Sequence, residues 1–257
     1  MDYRWLALLT SGGLFAGMLV LLEIGRVTGA RRLATEPELP SADAMVGAVF
    51  GLLGLLLAFT FSGAASRFDD RRNQIVEEAN AIGTAYLRLD LMPASAQPAM
   101  RELFRRYLDA RLAVYRKLPD VEAAMVELTQ SKALQAQIWS QAVAAVHMEG
   151  SRSSGDLLLL PALNRMIDIT VVRTMAMQMH PPEIIYILLF GLSLAAALLA
   201  GHSMAADKSR SWIHMIAFAA VLAVAVNVTI NLEHPRLGLV RVDAFDQVLV
   251  ELRQSMR

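Results

Sequence analysis

Few residues in this chain could carry out chemistry, and their spacing does not match a known reactive arrangement. The five histidines, at positions 147, 180, 202, 214 and 234, are scattered without the spacing of metal ligands. Glu77 and Glu78 occupy successive helix positions, so their carboxylates point in different directions and do not form a catalytic pair. The sequence has no cysteine, and it lacks the phosphate-binding, dinucleotide-binding and zinc-protease motifs. These observations predict a protein that is not an enzyme, with no catalytic residues, cofactor or metal.

The composition instead indicates a membrane protein. The 257 residues are 55% hydrophobic, and the mean hydropathy is +0.42, which is too apolar for an ordinary soluble domain. The 24 basic and 24 acidic side chains cancel, so nothing favours nucleic-acid binding. Four stretches without Asp, Glu, Lys or Arg come close to or exceed the roughly 20 residues that a transmembrane helix needs. They are residues 5–22, 44–66, 184–206 and 211–232.

Residues 44–90 predict one long helix that leaves the membrane and continues into water. Its first half is free of charge, its second half is dense in Arg, Asp and Glu, and Pro93 follows its end. In the second half, apolar side chains recur at steps of four, three, four and three, which is typical of a seam that packs on a partner helix. We expect this assembly seam to pack inside the subunit or between subunits. It consists of Ile75, Ala79, Ile82, Tyr86 and Leu89.

Glycines in the first two predicted spans favour close helix packing. Small residues spaced four apart let the backbone of another helix approach. The positions that this pattern selects for helix packing are Gly13 and Gly17 in the first span, and Gly47 and Gly54 in the second. Gly51 continues the pattern in the second span.

The remaining segments predict an all-α membrane protein. Residues 67–183 carry interleaved basic and acidic side chains, which is typical of solvated helix faces. Within them, Gly and Ser predict a loop over 149–156, with Pro161 in the first turn of the next helix. The expected division is 1–66 for transmembrane helices one and two, 67–183 for a cytoplasmic helical bundle inserted between helices two and three, 184–232 for a transmembrane hairpin, and 233–257 for a cytoplasmic tail.

The distribution of basic residues favours termini and a 67–183 segment in the cytoplasm. More of the basic residues next to the spans lie on that side, including Arg67, Arg71 and Arg72, whereas the pair Arg31 and Arg32 argues for the opposite orientation.

Two stretches resemble the bestrophin family of anion channels. The first is FTFSGAASRFDDR and the second is LEHPRLG. The matching positions are Phe59, Arg67, Phe68, Asp70 and Arg72 in the first stretch, and Glu233, Pro235 and Gly238 in the second. The order of spans and helical segments is also similar, and the whole pattern looks most like a bacterial bestrophin-like family of unknown function. The acidic cluster that forms the calcium clasp of animal bestrophins has no counterpart in this tail.

The resemblance implies a homo-oligomer, pentameric as in bestrophins, in the bilayer of the bacterial inner (plasma) membrane. The second span would line the pore, with Phe59 at the innermost neck position, and with Leu55 and Gly51 or Leu52 one and two turns outward. A small anion would be the permeant species. The alternative is a non-conducting membrane scaffold or sensor, whose cytoplasmic helical bundle binds a partner.

Overall fold

The computed structural model describes residues 3–35, 43–148, 153–206, 212–238 and 240–256, and every regular element among them is a helix. Short 3-10 turns occur at Arg88–Leu91, Met204–Ala206 and Asp243–Asp246. The α-helices are α1 (Tyr3–Thr35), α2 (Asp43–Leu87), α3 (Gln97–Arg116), α4 (Val121–Val146), α5 (Ser153–Gln178), α6 (Glu183–Ser203), α7 (Trp212–Glu233) and α8 (Gln247–Ser255).

Four helical stretches of the described chain are long and apolar enough to cross a membrane. They are Trp5–Thr35, Ala44–Leu91, Leu157–Ser203 and Trp212–Glu233, and each overlaps one of the four predicted spans. The long helix predicted over 44–90 is confirmed as α2, which runs for 45 residues and passes directly into the 3-10 turn Arg88–Leu91 before Pro93.

The chain divides into two compact units, the first formed by Met1–Arg67 with His180–Val240. In this unit α1 packs along α6 and α7, around a core that includes Met18, Leu22 and Leu189. The closest approach of α1 to α6 depends on two glycines. A Cβ added to Gly201 would overlap the carbonyl oxygen of Leu22, and one added to Gly25 would overlap that of Leu198. Only glycine permits this helix pair.

The glycines selected by spacing behave differently within the chain. A Cβ on Gly17 would lie 3.2 Å from Cδ2 of Leu194, so this position faces α6. A Cβ on Gly13, Gly47, Gly51 or Gly54 would meet nothing within 4 Å. Packing at those four positions therefore stays a prediction about contacts with another molecule.

The second unit consists of Phe68–Met179 with Arg241–Arg257. Here α4 packs against α3 and α5, and α8 packs against α3. The ring of Tyr86 meets that of Phe104 on α3 edge-on, with centroids 5.8 Å apart. All members of the seam are buried in this core: Ile75, Ala79, Ile82, Tyr86 and Leu89. Side chains enclosed in this way by their own chain do not form a surface on which a second copy could pack.

Local sequence explains where the helices of the second unit begin. Asp120 precedes α4, and its side chain accepts a hydrogen bond of 3.0 Å from the backbone N–H of Ala123, which caps the helix.

Pro161 was expected in the first turn of the helix that follows the predicted loop. That prediction is wrong, because α5 begins at Ser153 and Pro161 lies inside it. The fully buried Leu159 and Leu163 lie on either side of this proline, and their burial offsets the backbone hydrogen bond that proline cannot donate. The predicted loop is wrong for residues 153–156, which belong to α5, and residues 149–152 lie outside the described residues.

Candidate functional site

The membrane half of α2 has two different faces. One face packs within the first unit: Leu53 is buried in its core, and the ring of Phe50 meets that of Phe218 on α7 edge-on at 5.7 Å. Apart from Leu53, almost no residue of this membrane span is buried.

The other face carries the four predicted pore positions. Phe59, Leu52 and Leu55 are 68%, 55% and 53% exposed, and Gly51 is also exposed. These positions recur every three to four residues, so they form one apolar stripe along the helix. The stripe has no charged or hydrogen-bonding side chain, so its chemistry is limited to excluding water and packing against lipid or another helix.

Arg67 and Glu233, one from each of the two family-like stretches, meet in an ion pair within the first unit. The Arg67 Nε lies 2.9 Å from Oε1 and 3.1 Å from Oε2 of Glu233, and Nη2 also donates to Oε1. A Cβ on Gly63, one turn earlier, would come within 3.3 Å of the guanidinium nitrogens. This charge-assisted pairing joins α2 to the end of α7. Sequence analysis selected both residues but did not pair them.

The segment LEHPRLG forms a tight turn after α7. The backbone N–H groups of Leu237 and Gly238 donate to the carbonyl oxygen of His234 at 3.0 and 2.9 Å. Pro235 and Gly238 are buried, and a Cβ on Gly238 would lie 2.5 Å from Oδ1 of Asn231. The requirement for a small residue at 238 therefore comes from the Asn231 side chain packed beside it.

The other family-like positions lie in the second unit. The guanidinium of Arg72 sits 4.4 Å from the ring centroid of Phe245 and 6.0 Å from that of Phe68, while Nη1 donates to Asp69 at 3.0 Å. Asp70 is exposed. These residues thus form a cation–aromatic contact rather than a reactive centre.

Sequence reasoning used Arg71 only as a basic residue next to a span, whereas the structure buries its side chain. Its Nε donates to the carbonyl oxygen of Ala176 at 3.1 Å and its Nη2 to that of Met179 at 2.9 Å. These oxygens lie at the C-terminal end of α5, where carbonyl groups lack partners within the helix. Arg71 therefore satisfies the end of α5 within the second unit.

A buried ionic cluster was also missed. Glu78 is completely buried. Its Oε1 accepts from Nε of Arg111 at 2.6 Å, its Oε2 accepts from Arg173, and the Tyr115 ring lies under both guanidinium groups. The signal was in the spacing, since Glu78 lies three residues after Ile75 and four before Ile82, on the seam face. Glu77, by contrast, is 54% exposed, so the two carboxylates do point in different directions.

Two of the scattered histidines come together in the first unit. The rings of His180 and His234 stack with centroids 4.6 Å apart and an angle of 12° between their planes. Nδ1 of His180 lies 3.8 Å from Oε2 of Glu233. Among the described residues there is no group of three or more His, Asp or Glu side chains that could hold a metal ion.

Comparison with known proteins confirms the family resemblance seen in the sequence. The model of a bestrophin-like domain matches residues 12–244, which is nearly the whole chain. The chain therefore belongs to the bestrophin-like family. A search of curated proteins gave no match.

Solved structures show the same fold at low sequence identity. A mutant crystal structure of a bacterial bestrophin homolog from Klebsiella pneumoniae is 14% identical, with a TM-score of 0.71 over 94% of this chain and 98% of that one. A second mutant of the same homolog is 12% identical, with a TM-score of 0.67 over 93% and 98%. A crystal structure described as a membrane protein is 12% identical, with a TM-score of 0.69 over 93% and 96%.

Proposed function

We propose that this membrane protein assembles as a homo-oligomer, a pentamer by its resemblance to bestrophins, in which α2 lines a central ion pore. Phe59 forms the narrowest ring, with Leu55 one turn outward and Leu52 and Gly51 beyond it. Small anions are the permeant species. Rings of apolar side chains gate such pores by controlling whether water fills them.

The two faces of α2 are the observation that carries this proposal. Leu53 and Phe50 bind the helix to its own chain, while the opposite stripe with Phe59 at its end stays exposed. A helix held in this way presents the same apolar stripe from every copy. Symmetric copies around one axis then place identical side chains in rings.

The same proposal assigns the sides of the membrane. The chain is a multi-pass protein of the bacterial inner membrane with both termini in the cytoplasm. Residues 67–183, which lie in sequence between the transmembrane segments 1–66 and 184–232, form a cytoplasmic helical bundle, and 233–257 form a cytoplasmic tail. The balanced charge of the chain supports a solvated helical bundle. It gives no reason to expect a nucleic-acid partner.

Ion flux from reconstituted vesicles tests the function. The full chain, Phe59→Ala and a matched control, Phe61→Ala, are compared under a chloride gradient and, separately, a sodium gradient. Phe61 is also exposed on α2, but it lies about 200° around the helix from Phe59. We expect chloride flux that rises several-fold in Phe59→Ala and stays unchanged in Phe61→Ala.

Two outcomes would contradict parts of this proposal. The absence of flux from both the wild type and Phe59→Ala, under either gradient, would contradict the channel itself. Flux of sodium without chloride would keep the pore and overturn its selectivity for anions.

A second candidate function is a non-conducting scaffold or sensor that binds a partner through the helical bundle. Exposed apolar side chains in the first turns of α4, at Val121, Met125 and Val126, favour this alternative. Counting subunits by native mass spectrometry separates the two functions. A monomer or dimer leaves no central space for a pore lined by α2, whereas a ring of several subunits does.

A further inference from the structure

The stacked histidines connect two helix ends of the first unit. His234 directly follows the last residue of α7, and its Nδ1 lies 3.3 Å from the carbonyl oxygen of Ile230. His180 precedes Pro181, Pro182 and the start of α6. With ring centroids 4.6 Å apart, this stack ties the beginning of α6 to the end of α7.

Charged and titratable groups of both signs lie near the stacked histidines in the sequence or in the structure. Glu233 of α7 is the buried anion, 3.8 Å from His180, and it already binds Arg67 of α2. Arg236, in the turn after α7, is a second cation, and it is buried. On α6, Glu183 is exposed in the first turn, and Tyr186 follows one turn later.

Protonation changes this balance in two steps. Imidazole side chains change charge between about pH 8 and 5. The first proton is accommodated because Glu233 lies beside His180. The second proton places two like charges in adjacent stacked rings, which repel each other at this distance. The two protonation steps are therefore coupled and belong to the pair.

We propose that the His180–His234 stack is a proton-sensitive latch between α6 and α7. It is closed while at most one ring is charged and opens when both rings are protonated. Opening loosens the end of α7, including Glu233 and its contact with Arg67 on α2. The latch does not depend on whether the chain conducts ions.

Thermal unfolding of the purified full chain in detergent, at pH 8 and at pH 5.5, tests the latch. At pH 8, His180→Gln and His234→Gln each lose the stack and lower the melting temperature by about 2–4 °C. The double variant falls no further than a single one, because the same contact is lost. At pH 5.5 each single variant melts at or above the wild type, because one of the two repelling charges is gone.

A further variant separates stacking from charge. His234→Phe keeps an aromatic ring but cannot take a proton, so we expect it to retain the melting temperature at pH 8 and lose less on acidification than the wild type. The control His147→Gln alters an exposed histidine of the second unit and should respond to pH as the wild type does. The latch would be overturned if, at both pH values, the double variant lost the sum of the melting-temperature decreases of the two single variants. It would also be overturned if acidification lowered the melting temperature of His234→Phe as much as that of the wild type.

Discussion

Arg67 and Glu233 stand 166 positions apart in the chain, yet they form a two-pronged ion pair that joins α2 to α7. The two partners differ in their surroundings. The Arg67 side chain is 33% exposed, whereas that of Glu233 is 0% exposed. A water-accessible arginine can remain charged without its partner, but a fully buried carboxylate cannot do so without a large cost.

Replacement of Arg67 should therefore lower the unfolding free energy more than replacement of Glu233 does. Arg67→Gln leaves a buried carboxylate without its main cation, and we expect a loss of about 3 kcal/mol or more in unfolding free energy. Glu233→Gln leaves a partly solvated arginine and should cost less. Chemical unfolding in detergent measures both, with Asp69→Asn as the control because it breaks only a surface pair worth about 1 kcal/mol or less. A larger loss for Glu233→Gln than for Arg67→Gln would contradict this assignment.

The contact between α1 and α6 predicts that alanine substitutions at two glycines of α6 change the stability in opposite directions. Gly201→Ala places a methyl group on the carbonyl oxygen of Leu22, so the helices must separate, and we expect a loss of about 1–3 kcal/mol or more. Gly191→Ala meets open space and should be neutral or stabilising by up to about 1 kcal/mol, because alanine favours the helix. Equal melting temperatures for the two variants would show that the close contact is absent.

Adjacent glutamates provide a matched test of the buried cluster. Glu78→Gln removes the carboxylate shared by Arg111 and Arg173 and leaves both buried cations uncompensated by it, so we expect a loss of about 3–5 kcal/mol. Glu77→Gln changes an exposed pair with Arg165 and should stay within about 0.5 kcal/mol. Similar stabilities for the two variants, measured by denaturant unfolding, would mean that Glu78 is not the counterion of this core.

The transmembrane helices and the seam of α2 could be predicted because their signals are local. Long segments without charged residues indicate transmembrane helices. The spacing from Ile75 to Leu89 places these side chains on one helix face. The order of residues alone therefore predicts both features. The identity of the partner is not local. Spacing did not show that the seam is enclosed by its own chain.

The same limit explains the glycines and the charged contacts. The pattern at Gly47 and Gly51 shows that one helix face carries small residues. The close contact within the chain is instead made at Gly25 and Gly201, because tertiary packing sets the point at which α1 and α6 cross. Arg67 and Glu233 could each be placed at the end of a span on the same side of the membrane. Their pairing depends on how α2 and α7 lie side by side, which residue order does not specify.

In the proposed assembly, Phe59 faces a water-accessible axis shared by the subunits. The natural sequence has no cysteine, so Phe59→Cys carries a single thiol for each subunit. Ile187→Cys is the control, because Ile187 is also highly exposed but lies on α6.

The most direct measurement is the rate at which a charged, membrane-impermeant thiol reagent modifies each variant in vesicles, since the reaction requires a thiolate in contact with water. We predict rapid modification of Phe59→Cys together with a change in ion flux, and slow modification of Ile187→Cys in the lipid. Equally slow modification of both cysteines would contradict a pore lined by α2.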